Sequence, residues 1–264
     1  MKSPLVRPQL ADRSYEMFSI LFSPHDMGIP SIRYRKYTTF HLKGVATLLG
    51  KGSPRPNEWR QDSFRNMFFR KVVVDARIYM VGREAQRSQE ASEPEIIVEE
   101  AEESKEVDHV GNCTDNKTLL SLPSIQSLDV ESRLRLLEYM SIARESRASG
   151  SSSTLSGVAL CNLFQNASFN SAVTDLAPTL LKKSVLFDLM HCRPVPPRTH
   201  WLIQGFPLPG VASPTVAEAF PFPEMWLDLN DVETRAATGN SMHLAAVGSM
   251  LTFAIAASEF LDIV

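Results

Sequence analysis

Cysteine is scarce in this chain: Cys113, Cys161 and Cys192 are the three present among 264 residues. None belongs to a Cys-x-x-Cys pair or stands at zinc-ligand spacing from a histidine, which argues against a structural metal and for free thiols in a reducing compartment. The first residues, MKSPLVRPQLADRSYE, contain no apolar core of a secretory leader, so the expected protein is not secreted. Long apolar runs are also missing. The one candidate, Leu244–Leu261, is diluted by Ala, Gly, Ser and Thr, and reads as a buried helix rather than the ~20-residue span a membrane requires. No internal repeat is visible. What the chain does have is 44% hydrophobic residues, enough to build one large domain or two small ones.

A net charge of −3 conceals an uneven distribution. Residues 1–88 hold 16 Lys/Arg against 7 Asp/Glu, whereas residues 89–108 hold 1 against 9. A basic N-terminal third beside an acidic run fits either a polyanion-facing surface with a solvated spacer, or simply a solvated basic surface.

Local pattern divides the chain further. Ser14–Ser23 (SYEMFSILFS) and Tyr34–Leu42 read as two strands, separated by the turn PHDMGIP, which makes an antiparallel pair plausible. Residues 50–66 read as a loop entering a helix, and Phe68–Val81 as strand material. Gln86–Lys117 is polar, acidic and nearly free of aromatics, the composition of a disordered insertion. Order returns with a helix over Ser127–Ser146, with Leu134, Leu137 and Ile142 loosely helix-spaced and Ser127 or Asp129 as its N-cap. Ala148–Gly157 is a flexible Ser/Gly stretch, a proline-punctuated region comes after it, and a last helix starts near Ser241.

Three stretches carry possible chemistry. In DMGIPSIRYRKYT (Asp26–Thr38), Arg33 and Arg35 lie two apart, so an extended backbone points both to one face. Paired guanidinium forks could hold a phosphate, a carboxylate or a base carbonyl, or could be ordinary exposed strand arginines. In RPVPPRTHWLIQGFP (Arg193–Pro207), Gly205 permits a tight turn and Phe206 would anchor it in a core. In TGNSMHLAAVG (Thr238–Gly248), Asn240 or Ser241 could cap the final helix, or the helix N-terminus could bind an anionic or polar ligand group.

Taken in order, these stretches resemble the last three motif blocks of the cytosine-5 DNA methyltransferases. Gly28, Ile29, Pro30, Arg33, Arg35 and Tyr37 match a Gly-(Val/Ile)-Pro-Gln-x-Arg-x-Arg-x-Tyr block. Pro197, Arg198, Gln204, Gly205, Phe206 and Pro207 match the block ending in Gln-Gly-Phe-Pro, and LAPTLLKKS (Leu176–Ser184) is similar to the Pro-Thr-Leu segment ahead of it. Gly239, Asn240 and Ser241 match a Gly-Asn-Ser block. Ser31 departs from the family's Gln, and Thr199 from its Glu.

The resemblance implies an α/β fold, namely the C-terminal part of a class I S-adenosylmethionine-dependent (Rossmann-like) methyltransferase with a small target-recognition region and disordered insertions. It places the final strand pair of the sheet in residues 1–48 and the start of the recognition region in 49–85. The acidic insertion is 86–117, the recognition region and return segment 118–237, and a C-terminal helix packing back on the catalytic domain 238–264. It implies DNA as partner, with no membrane, and a nuclear or otherwise intracellular location. Family enzymes flip the target cytosine out of the duplex. Arg35 would then contact its carbonyl oxygen, Arg33 would support the site, and Asn240 and Ser241 would lie beside S-adenosylmethionine. No metal is implied.

The family's Phe-x-Gly-x-Gly loop, Pro-Cys-Gln nucleophile and Glu-Asn-Val glutamate do not occur in these residues; the cysteines stand in GNCTD, ALCNL and MHCRP. None of the three has the partner context that nucleophilic catalysis requires. The expected protein is therefore a fragment or subunit, inactive alone and completed by a companion carrying the missing half, which would also cover the final helix. The competing expectations are a non-catalytic DNA-binding or regulatory module and a remnant without function.

Overall fold

The structure is a computed structural model that describes residues 14–71, 75–80, 116–148, 159–168, 174–209 and 224–260, together with Thr215. In chain order its main elements are β1 (Tyr15–Phe22), β2 (Arg35–Leu42), β3 (Ala46–Leu48), α1 (Pro56–Phe68), α2 (Asn116–Ser121), α3 (Pro123–Gln126), α4 (Val130–Ala148), β4 (Leu160–Asn162), β5 (Leu186–Asp188), β6 (Arg193–Pro194), α5 (Thr199–Ile203), α6 (Asp231–Asn240), α7 (Leu244–Ala256) and β7 (Ser258–Phe260). They fall into two compact units, Met1–Val73 with Met242–Val264, and Val74–Ser241.

Every strand pairing among the described residues is antiparallel: β1 with β2, β3 with β7, and β5 with both β4 and β6. The architecture is thus mixed α/β with small antiparallel sheets. The parallel sheet of the Rossmann-like expectation is not among the described residues.

In the first unit, the expected strand pair forms with Tyr15 opposite Leu42 and Phe22 opposite Arg35. Alternation places Phe18, Ile20, Phe22 and Tyr37 on one face, where they join Leu48, Phe64 of α1, and Ala246, Met250 and Phe253 of α7 in a single core. The ring centroids of Phe18 and Phe253, and of Phe64 and Phe253, lie 5.3 Å apart, and those of Phe22 and Phe64 5.0 Å. Arg60 is buried beneath this core and fully engaged. It donates to Glu16 Oε1 at 2.6 Å and to the carbonyls of Leu49 and Leu48. Burial alone would push the Glu16 carboxyl up; the Leu48 N–H and the Arg60 guanidinium outweigh it and hold the group below its ordinary value.

The second unit has its largest core against α4, where Leu136, Tyr139, Met140 and Ala143 meet Leu119, Ile125, Cys161 and Phe187. Asp129 starts this helix, accepting from the Ser132 N–H at 2.8 Å. Leu137 and Ile142 pack against this core, whereas Leu134 is exposed.

Three further expectations are corrected. Phe68–Val81 is not a strand among the described residues: Phe68 ends α1, and Ala76–Tyr79 forms a 3-10 turn. A short apolar run is ambiguous between helix and strand, and here the Asp75 carboxylate captures the Arg77 N–H and starts the turn. The thiol expectation holds for Cys161, which is free and buried, whereas Cys192 is disulfide-bonded. The insertion expected at Gln86–Lys117 lies largely outside the described residues, but Asn116 and Lys117 already belong to α2. The Ser/Gly stretch, from residue 149 on, lies outside them as well.

The third correction concerns the C-terminal helix. Asn230 and Glu233 form a reciprocal capping box, so a separate helix, α6, starts at Asp231. Asn240 is its last residue and Ser241 its C-cap, and neither serves as the N-cap of the next helix. The chain then runs extended through Ser241 and His243 before α7 starts at Leu244 without a side-chain cap. α7 ends at Ala256, and the chain returns as β7 to pair with β3. No helix among the described residues is long and apolar enough to cross a membrane.

Candidate functional site

The first stretch is organised by Ser23. Its hydroxyl accepts from the His25 N–H and, at 2.9 Å, from the Arg33 N–H, and donates to the Ser31 carbonyl. This pulls the loop back on itself through Gly28, whose φ of 88° lies in the left-handed region. A side chain there would also meet Arg70 Cβ at 3.3 Å. Ser31, standing where the resembled block has Gln, is buried and bonds through its backbone carbonyl.

Arg33 and Arg35 do not present equivalent forks. β2 starts at Arg35, opposite the last residue of β1, and Arg35 is exposed. Arg33 precedes the strand, folds beneath the Ser23 loop and is only 3% exposed. Burial lowers its pKa, and the nearby positive charge of Arg35 lowers it further. The pair is therefore one buried charge supporting one accessible guanidinium.

His243, which sequence reasoning did not single out, belongs to this unit. It is 1% exposed, and neither ring nitrogen has a hydrogen-bond partner. Burial, and then the Arg33 charge, push its pKa down to about 4, so the imidazole is neutral at physiological pH. The Tyr37 hydroxyl is likewise buried without a partner, and burial raises its pKa.

In the second unit the structure ties the other two stretches together. Gln204 Nε2 donates to the Thr238 carbonyl at 2.9 Å, both residues being buried. Gly239 lies so close to the Leu181–Lys182 backbone that an added Cβ would stand 2.3 Å from it. The segments LAPTLLKKS, QGFP and TGNS thus meet, although up to about sixty residues separate them in sequence. Gly205, at φ 82°, turns the chain after α5, and Phe206 packs edge-on against Trp201 and Trp226, which stack 4.7 Å apart. Thr199, where the resembled block has Glu, is buried at the start of α5.

His200, on the same short helix, is buried with both ring nitrogens unpaired. Burial and the Arg235 charge push its pKa down to about 3. Gln204 Oε1 is buried and unpaired beside it in sequence. Asn240 and Ser241 end α6: Asn240 is exposed, while the Ser241 hydroxyl donates to the Thr238 carbonyl at 2.8 Å. They sit at the negative pole of that helix, which attracts cations, whereas a helix N-terminus would attract anions.

The arginines and the Asn240–Ser241 pair thus belong to different units. What the three stretches share is a chemical condition. Among the described residues, buried side-chain atoms without a hydrogen-bond partner include Tyr37 Oη, both nitrogens of His200 and His243, and Gln204 Oε1; outside the stretches only His25 Nδ1, Tyr79 Oη and Gln165 Oε1 join them. Such groups cost roughly 1–3 kcal/mol each when nothing meets them, and each calls for a partner such as an ordered water, an ion or a ligand. The histidines went unnoticed in the sequence because each stands at a position that the resembled blocks leave free.

Among the described residues no three His, Cys, Asp or Glu side chains lie together to hold a metal ion. No protein-family model matches the chain, and no curated protein matches it.

Proposed function

We propose that these residues form the C-terminal part of a DNA (cytosine-5) methyltransferase. The glycine-rich cofactor loop, the nucleophile and the glutamate would come from residues outside them, on the same polypeptide or on a companion chain. The observation that carries the reading is the clustering of buried, unpaired polar groups in the three stretches that resemble the family's motif blocks. A site whose remaining partners are a nucleotide, a cofactor and another stretch of protein leaves such groups behind.

Within that reading Arg35 is the group that meets the base. Its guanidinium is accessible at the end of β2 and offers donors to a cytosine carbonyl. Arg33 is a positioning residue: its charge is buried two residues before Arg35 and adds to the burial that keeps His243 neutral. Asn240 and Ser241 would hold S-adenosylmethionine. The fit test is electrostatic: the C-terminus of α6 suits the positive charge of the cofactor's ammonium, and the exposed Asn240 amide is available for a polar contact. When bound, that cofactor supplies an electrophilic methyl group.

The test is transfer of tritiated methyl from S-adenosylmethionine to cytosine in duplex DNA. It is run with the 264-residue chain alone and with the chain co-expressed with a methyltransferase half carrying Phe-x-Gly-x-Gly, Pro-Cys-Gln and Glu-Asn-Val. The expected result is no transfer alone, transfer by the pair, and loss of transfer in an Arg35→Ala pair that still assembles. A pair that assembles and binds DNA without transfer would overturn the enzyme reading in favour of a non-catalytic DNA-binding module.

A further inference from the structure

The first unit carries an excess of positive charge, and, the buried Arg33 aside, the cations among its described residues divide into two sets. Lys51 and Arg60 face Glu16, Arg55 pairs with Glu58, and Arg65 pairs with Asp62. Arg35, Lys36, Lys43, Arg70 and Lys71 have no carboxylate partner among the described residues, and all five are exposed.

Their placement is uneven. Arg35 and Lys36 stand opposite Phe22 and Leu21, at the end of the strand pair that leads into the Ser23 loop. Arg70 reaches the same end, because its N–H donates to the Asp26 carbonyl at 3.0 Å and its Cβ lies against Gly28. The Phe69 ring, one residue earlier, lies 6.1 Å from that of Phe22. Lys71 is the next residue. The one nearby carboxylate, Asp26, is engaged by the Ser23 N–H at 2.8 Å. Tyr34, 59% exposed, adds an aromatic ring beside Arg35. Only Lys43 lies elsewhere, past the far end of β2 and about 20 Å along the strand from Lys36.

Uncompensated exposed charge is unfavourable to gather, since like charges repel. Its concentration around the loop that holds Arg33 and Arg35 calls for a polyanion. We propose that Arg70 and Lys71 form a phosphate-binding surface that seats the DNA backbone beside Arg35, with Tyr34 as an aromatic plate at its edge. The inference rests on the DNA reading above and adds the residues that would fix register on the duplex.

Fluorescence anisotropy of a labelled duplex DNA, titrated with the full chain at several salt concentrations, tests it. Each phosphate contact contributes about 0.9 to the slope of log affinity against log salt. Arg70→Gln with Lys71→Gln should therefore lower that slope by about 2 and weaken binding uniformly across sequences, whereas Lys36→Gln, on the other face of the strand pair, should leave it nearly unchanged. Lys43→Gln, an equal loss of charge on the same strand pair, should leave it unchanged. An unchanged slope in the Arg70/Lys71 variant, or an equal fall with Lys43→Gln, overturns the inference; the second outcome would mean diffuse attraction to the whole unit. Absence of salt-dependent binding by the unmodified chain would instead overturn the DNA reading itself. Far-UV circular dichroism confirms that these surface variants remain folded.

Discussion

Helices α4 and α7 each bury one face, and they differ in what the other face shows to water. The outward positions of α4 are Glu131, Leu134, Glu138, Ser141 and Glu145, with Arg135 paired to Glu131 across one turn. That is the largely charged outer face of a surface helix, with Val130 and, one turn on, Leu134 as its exposed apolar residues. The outward positions of α7 are Gly248, Leu251, Thr252, Ile255 and Ala256, and the helix contains no charged residue. Leu251 is 55% and Ile255 64% exposed. The strand pair of the same unit repeats the pattern: opposite its core face, Tyr15, Met17, Leu21, Phe40 and Leu42 are all exposed. A helix apolar on two faces beside a sheet apolar on two faces is the composition of an inner layer. The second unit closes its surface around α4, and the first leaves its surface open around α7. This difference is what a chain completed by further protein should show, and it gives the predictions their direction.

Acid should produce the largest effect, and it acts on both units through different histidines. The ordinary histidine value of 6.5 is lowered in the folded state to about 4 for His243 and about 3 for His200. Below pH 6.5 the unfolded chain binds protons that the folded one refuses, so stability is complete above that pH and falls as pH drops toward the folded values. The fall is about 1.4 kcal/mol per pH unit for each histidine. Between pH 6.5 and pH 5 each should therefore remove about 2 kcal/mol. Urea unfolding at pH 7 and pH 5 measures this, and replacing either histidine by glutamine should shrink the loss by about that amount. If the double replacement left the acid loss intact, the neutral buried imidazoles would not be its source.

Two glycines sharpen the contrast at smaller scale, because they differ in what surrounds them. A Cβ at Gly239 would collide with the Leu181–Lys182 backbone, which cannot rotate away as a side chain could. Gly239→Ala should destabilise the second unit by about 1–3 kcal/mol, the usual cost of overpacking. A Cβ at Gly248 would meet nothing within 4 Å. Gly248→Ala should stabilise the first unit by up to about 1 kcal/mol, since alanine is the better helix former. Thermal unfolding of the two variants decides the matter, and shifts of the same sign would sink the contrast.

Sequence legibility tracked the reach of the interactions involved. The strand pair, α1 and the Asp129 cap were readable because alternation, a proline start and a carboxylate at a helix mouth are local signals. The break between α6 and α7 was not. TGNSM looks like a helix start when read alone, but Asn230 and Glu233 had already fixed a helix that must end there. The capping box lies ten residues upstream, beyond the local window in which Gly-Asn-Ser reads as a helix start. The unequal fates of Arg33 and Arg35 were hidden for a related reason. Period-two reasoning puts both on one face, but it is the Ser23 hydroxyl, ten residues away, that draws Arg33 out of the strand and under the loop. The meeting of Gln204 with Thr238 depends on a fold-level approach that no local pattern encodes.

The smallest expected effect on stability bears most directly on the open face of α7. Leu251 points away from the Phe18–Phe253 core and more than half of it already meets water. Its replacement by serine therefore removes little buried apolar area, and Leu251→Ser should change unfolding free energy by no more than about 0.5 kcal/mol. The face itself should respond strongly. A contiguous apolar stripe drives self-association when nothing covers it, so the variant should sediment closer to a monomer than the unmodified chain at equal concentration. It should also lose affinity for the methyltransferase half used in the transfer assay. Leu134→Ser on α4 is the matched control, an exposed leucine beside Val130 on a largely charged face, and should alter neither sedimentation nor pairing. Equal behaviour of the two variants would mean that the open stripe is ordinary surface, and the contrast between the helices would carry no information about a missing layer.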